Sequence, residues 1–205
     1  MLALLLAAAV SIPPPPQTTV NFPGAAPITV VGPATPAGRA DFPWTLAQTL
    51  YAPGQRTAAV RFCWDAAKYT GCEVHLARAG RGALVLRNSN VKQLLWSADG
   101  RYLIGARANT LRLWNLSGGV RTATLRDEIP EANWTVQPVI RRLWFYRGDL
   151  CVAAHDFAYN TKTFARRENV STGRYALPTL RGISVTTFPS PLRKEAPCQI
   201  PGSGV

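Results

Sequence analysis

Across residues 91–126 the apolar positions fall in four short runs, about 91–97, 101–107, 110–116 and 120–126. Turn residues separate the runs, and the spacing predicts a meander of four strands. Asp99-Gly100 marks the first hairpin, because both positions accept positive φ, and Ser117-Gly118-Gly119 marks a later one. Leu94 and Trp96 are expected on one face of the first strand, with Val91 and Leu95 largely on the other. A strand that is apolar on both faces is one covered on both sides. The pattern therefore predicts an all-β fold of stacked sheets.

The pattern recurs. Segment 91–105, VKQLLWSADGRYLIG, aligns without gaps on 139–153, VIRRLWFYRGDLCVA, when Trp96 is set on Trp144; Gly100 then falls on Gly148. A third copy opens at Val60 with VRFCW, which sets Trp64 at the same point. The second halves match as well, NLSGG at Asn115–Gly119 with NVSTG at Asn169–Gly173, and each copy ends in Leu-Arg, at Leu86, Leu125 and Leu180. Repeats of this length predict units that bury their faces only against neighbouring units.

Segment 91–126 resembles a WD40 repeat, and its first half resembles the repeats of TolB-like β-propellers. The residues that carry the resemblance are Leu95-Trp96-Ser97-Ala98-Asp99-Gly100 and Leu111-Arg112-Leu113-Trp114-Asn115-Leu116. Asn115 stands where the family has the Asp after Trp114, and Asn88-Ser89-Asn90 stands in place of the family's Gly-His pair. The resemblance implies a propeller-like arrangement of about three four-stranded repeats, as a four-bladed or an incomplete ring, with an open sheet stack as a third arrangement.

The ends of the chain differ from its middle. Met1–Ile12 is an apolar run too short for a transmembrane span, with Ala7-Ala8-Ala9 as small residues before Pro13, and predicts a signal peptide. Residues 13–59 hold ten of the seventeen prolines and only three charged residues, which predicts a leader or linker. The repeat domain is expected over 60–187, followed by a Pro/Gly-rich tail, 188–205. Export to the periplasm, cell surface or medium suits the four cysteines. Cys63 and Cys72 have the spacing of a hairpin disulfide, which would leave Cys151 and Cys198 to pair, although four cysteines allow three connectivities.

Net charge is +12, with 23 Lys and Arg against 11 Asp and Glu. Segment 140–181 concentrates it: Arg141, Arg142, Arg147, Arg166 and Arg167 lie near Trp144, Phe145, Tyr146 and Phe164. Interleaved arginines and aromatics can hold a polyanion by phosphate contact and stacking. Strand alternation is expected to send Arg141 and Arg142 to opposite faces. His75 is read as structural, and Asp156 cannot orient His155 from the next strand position. No nucleophile motif, metal-ligand spacing or carboxylate pair is present, so no catalytic residue, cofactor or metal is assigned. The sequence thus predicts a non-enzymatic binding or structural module of the bacterial cell envelope with protein partners. Binding of extracellular DNA or an acidic wall polymer is the alternative, and a small hydrolase is third.

Overall fold

The computed structural model describes residues 12–36, 38, 40–66, 69–125, 133–188 and 198. The expected signal peptide therefore lies outside the described residues, Ile12 excepted, as does most of the tail.

Fourteen strands are present among the described residues. β1 (Gln17–Val20) and β2 (Ile28–Val31) form a hairpin. The first sheet comprises β3 (Thr45–Tyr51), β4 (Thr57–Ala66), β5 (Tyr69–Arg78) and β6 (Gly82–Val85). The middle sheet comprises β7 (Gln93–Trp96), β8 (Tyr102–Arg107), β9 (Thr110–Asn115) and β10 (Val120–Thr124). The last sheet comprises β11 (Trp134–Tyr146), β12 (Asp149–Asn160), β13 (Arg166–Ala176) and β14 (Arg181–Phe188). Each of the three is an antiparallel meander in chain order, so every connection is local.

The sheets stack, and the middle one shows why its strands are apolar on both faces. Leu103 and Trp114, paired across β8 and β9, pack with Trp96 and Val91 against Ala59, Val74, Leu76 and Leu86 of the first sheet. One position on, Ile104 and Leu113 are also paired, and with Ala106 and Leu111 they pack against Ile140, Leu150, Val152 and Tyr175 of the last sheet. Each such side chain taken fully out of water contributes roughly 1.5–3 kcal/mol. Burial on both faces thus holds together a sheet whose strands are only four to six residues long. Leu94 and Leu95 divide between the two cores as expected, but Val91 lies on the Trp96 side, because it precedes the strand and escapes its alternation.

Three expectations need correction. The leader is not a linker: Val20, Phe22 and Val30 of the hairpin pack on Val60 and Phe62, and β3 supplies the first strand of the first sheet. A boundary at Val60 falls inside β4. The repeat frame also slips. Trp96 and Trp144 both sit near the end of the first strand of their sheets, whereas Trp64 lies on the second strand of its own, half-buried against Gly71. Finally, Asn115–Gly119 is a turn between β9 and β10, but Asn169–Gly173 lies inside β13. Leu86 and Leu125 do follow the last strands of their sheets, whereas Leu180 precedes β14.

The Asp99-Gly100 hairpin forms by a different device from the one expected. Gly100 alone takes positive φ, at +68°, and its N–H donates to the Ser97 carbonyl at 2.9 Å. Asp99 instead accepts the Arg101 N–H on its carboxylate at 3.0 Å. Among the described residues, no strand pairing joins the first sheet to the last.

Candidate functional site

The last sheet uses its two faces differently. Leu150 and Val152 of β12 face the middle sheet, whereas Cys151 and Ala153 pack with Trp144, Tyr146 and Cys198 on the outer face. Alternation continues the outer row along β12 through His155, Phe157 and Tyr159. The ladder sets Tyr159 opposite Arg166 and Cys151 opposite Arg174 on β13.

A β-bulge in β11 decides where the arginines go. Ile140 pairs with Ala154 and Arg142 with Ala153, so Arg141 is an extra residue without a partner of its own on β12. Parity explains the bulge. Ile140 must face the core and Trp144 must face outward, yet an unbroken strand would turn residues 140 and 144 to the same side. One additional residue reconciles them.

As a result, Arg141 and Arg142 both lie on the outer face, contrary to the expected separation. The guanidinium carbon of Arg141 lies 5.8 Å from the Phe157 ring centre, and that of Arg142 lies 6.0 Å from Trp144. Arg147, in the β11–β12 turn at φ 51°, stands 5.2 Å from the Tyr146 ring. These are cation–π distances. Arg141, Arg142 and Arg147 are all exposed.

Arg166 is exposed in register with Tyr159, itself 42% exposed. Arg167 pairs through its backbone with Ala158, and its side chain lies outside the described ones. Arg174 is not available in the same way, because its Nε donates to Asp149 Oδ2 at 2.6 Å. The outer face therefore carries Arg141, Arg142, Arg147 and Arg166 along an aromatic row, with Arg147 at the β11–β12 turn and Arg166 near the other end of β12.

Phe145 was expected among these aromatics but packs into the core against the middle sheet. Phe157 and Tyr159 were missed in the sequence, although the run His155-Asp156-Phe157-Ala158-Tyr159 carries the alternation that puts them on one face. Phe164, at the β12–β13 turn, is 79% exposed.

The Cys151–Cys198 disulfide pins the tail to this face, and both sulfurs are buried beside Trp144. Cys63 and Cys72 are bonded across β4 and β5, where they are directly paired. The two disulfides suit an oxidising, exported environment. No helix among the described residues is long and apolar enough to cross a membrane.

Elsewhere, His75 is buried edge-on to Phe62, and its Nε2 lies 2.7 Å from Glu73 Oε1, a packed arrangement on the first sheet. The His155 ring lies 6.2 Å from Phe157. Among the described residues, no three His, Cys, Asp or Glu side chains converge to hold a metal ion.

Comparison with known proteins adds no relative: no family model matches the chain, and no curated protein matches it.

Proposed function

We propose that the protein is a non-enzymatic binding module of the cell envelope, with blade-like sheets of the WD40 or TolB type, that takes an acidic polymer on the outer face of its last sheet. The observation that carries this reading is the bulge at Arg141. It turns two adjacent arginines to one face and seats each on an aromatic ring. Guanidinium groups grip phosphate or carboxylate oxygens in pairs, and their planar fork loses less freedom per bond than a lysine does. The aromatic row beside them offers stacking surface to bases or sugar rings. Export would bring this face to extracellular DNA or to an acidic wall polymer.

The test compares the wild type with the reversal Arg141→Glu/Arg142→Glu on single-stranded DNA and on an acidic wall polymer, by fluorescence anisotropy at two salt concentrations. Wild-type affinity should fall with salt, with a logarithmic slope of about −0.7 for each phosphate neutralised on single strands. The reversal should weaken binding and flatten that slope together. Equal binding by both proteins, with equal slopes, overturns the proposal.

A protein partner is the second reading, favoured by Phe164, Tyr159 and Val170, which expose apolar surface at one end of the same sheet. Substituting Phe164 alone should then abolish capture of that partner while leaving polymer affinity unchanged.

A further inference from the structure

A second concentration of positive charge lies away from the last sheet, at the seam between the first and middle sheets. It is built around the crossover that leads from β6 to β7. The Asn90 side-chain carbonyl accepts the Cys72 N–H at 3.0 Å and an Arg107 Nη1 hydrogen bond. The Asn90 main-chain carbonyl accepts Arg112 Nη1 at 3.1 Å. Arg107 Nη2 donates to the Thr70 carbonyl at 2.8 Å, and Arg61 Nη1 donates to the Lys92 carbonyl.

Alternation explains the convergence. Arg61 lies two positions from Ala59, Arg107 four from Leu103 and Arg112 two from Trp114, and all three reference residues belong to the core between these sheets. The arginines therefore enter the same seam from β4, β8 and β9, beyond the edge of its apolar core.

Every acceptor they meet is neutral. The described ion pairs lie elsewhere: Glu73 with His75, Asp99 with Arg101, Asp149 with Arg174. Among the described residues no carboxylate is ion-paired to Arg61, Arg107 or Arg112, and Asp65, opposite Thr70 in the ladder, is exposed. Arg61 Nε is buried without a partner. Burial pushes the pKa of Arg61 down, and burial together with the charge of Arg107 does the same to Arg112. Arg107 and Arg112 are thus held close on Asn90, where their like charges repel, and Arg61 reaches the same crossover two residues on, at Lys92, in a partly buried seam where none of the three is paired with a described carboxylate.

We infer that this seam is an anion site, in which Arg61, Arg107 and Arg112 take a multivalent oxyanion, a phosphate or sulfate group. Three guanidiniums in fork geometry can each offer N–H donors to separate oxygens of a tetrahedral anion. A dianion offsets more of the three charges than a lone carboxylate does. The site is independent of the polymer-binding face proposed above.

The probe is inorganic phosphate, titrated at constant ionic strength against chloride, with the arginine Nε–Hε resonances and the Tm followed together. The Arg61, Arg107 and Arg112 resonances should shift along one saturable curve, and the wild-type Tm should rise with it. The Arg141→Glu/Arg142→Glu protein should respond equally. Arg107→Gln/Arg112→Gln should weaken phosphate about 10-fold or more, the equivalent of one lost charge-assisted bond.

Acetate at matched concentration should give a much smaller shift, and an equal response to acetate overturns the dianion assignment. Sulfate matching phosphate supports a general oxyanion site; no response to sulfate narrows it to phosphate. Shifts in wild type that stay linear and unsaturated, or that spread over all arginines, overturn the site whether or not the variants fold.

Discussion

The indole N–H of Trp96 donates to the carbonyl oxygen of Leu50 at 2.9 Å, reaching from the first strand of the middle sheet to the first strand of the sheet before it. Trp114 makes the corresponding reach from β9 to the Arg87 carbonyl, also at 2.9 Å. Both rings lie in the core between these sheets, so each indole joins the stack by packing and by one directed bond.

Trp96→Ala should therefore cost about 3–5 kcal/mol of stability, the usual loss when a large buried aromatic is removed. Trp96→Phe keeps most of the packing but strands the Leu50 carbonyl, and should cost about 1–3 kcal/mol. Urea denaturation of both variants checks this. A Trp96→Phe variant as stable as wild type would show that the bond to Leu50 contributes nothing net.

Gly105 faces Trp114. A methyl group at this position would lie 2.7 Å from the indole and 2.9 Å from Val91, with no flexible chain end to yield. Gly105→Ala should destabilise by about 1–3 kcal/mol through overpacking. Thermal denaturation measures it. Gly38→Ala meets nothing within 4 Å and serves as the control.

Cys151 and Cys198 close a loop across 47 positions, and Cys198 is fully buried. Opening it with Cys198→Ala should cost about 2–4 kcal/mol. It should also expose Trp144, which is only 6% accessible, and so shift its fluorescence to longer wavelength. A peptide map without reduction should recover Cys63 with Cys72 and Cys151 with Cys198, and any other pairing defeats this prediction.

Asp99 carries a pH signature. The Ser97 hydroxyl donates to its carboxylate at 2.6 Å, and this bond, with the Arg101 N–H second, holds its pKa below the ordinary carboxylate value. A folded pKa lower than the unfolded one gives stability that is complete above the unfolded value, about 3.9. That stability is lost as pH falls through the folded value. The group is exposed, so the effect on overall stability is small. A carboxyl NMR titration should place the Asp99 midpoint below that of a solvated Asp, and Ser97→Ala should raise it.

Much of the middle sheet was legible in the sequence. Its four strands, its turn positions and the apolar character of both faces follow from local pattern, because alternation and turn chemistry act within a few residues. Trp96 and Trp144 both fall near the end of the first strand of their sheets, but Trp96 faces the preceding sheet and Trp144 faces outward, because the bulge in β11 reverses the alternation. Trp64 was misplaced because β3, the true first strand of its sheet, has no tryptophan and is largely exposed, so nothing in it marks a repeat. The Pro-rich leader was misread because composition reports how a segment is solvated, whereas β1, β2 and β3 are held by side chains and ladder partners that come later in the chain.

What the sequence by itself determined is an all-β chain of local meanders, a strong positive charge and cysteines spaced for a hairpin disulfide. Tertiary structure alone decided where the charge converges. Ile140 is drawn inward by the middle sheet and Trp144 outward by Cys151 and Cys198, two contacts made by different parts of the chain, and the strand between them must gain a residue to satisfy both. Arg141 and Arg142 share a face because of that conflict. Arg107 and Arg112 meet at Asn90, and Arg61 reaches the same crossover at Lys92, because two sheets stack. Neither grouping has a local cause, since each depends on how separately formed sheets bury their faces against one another.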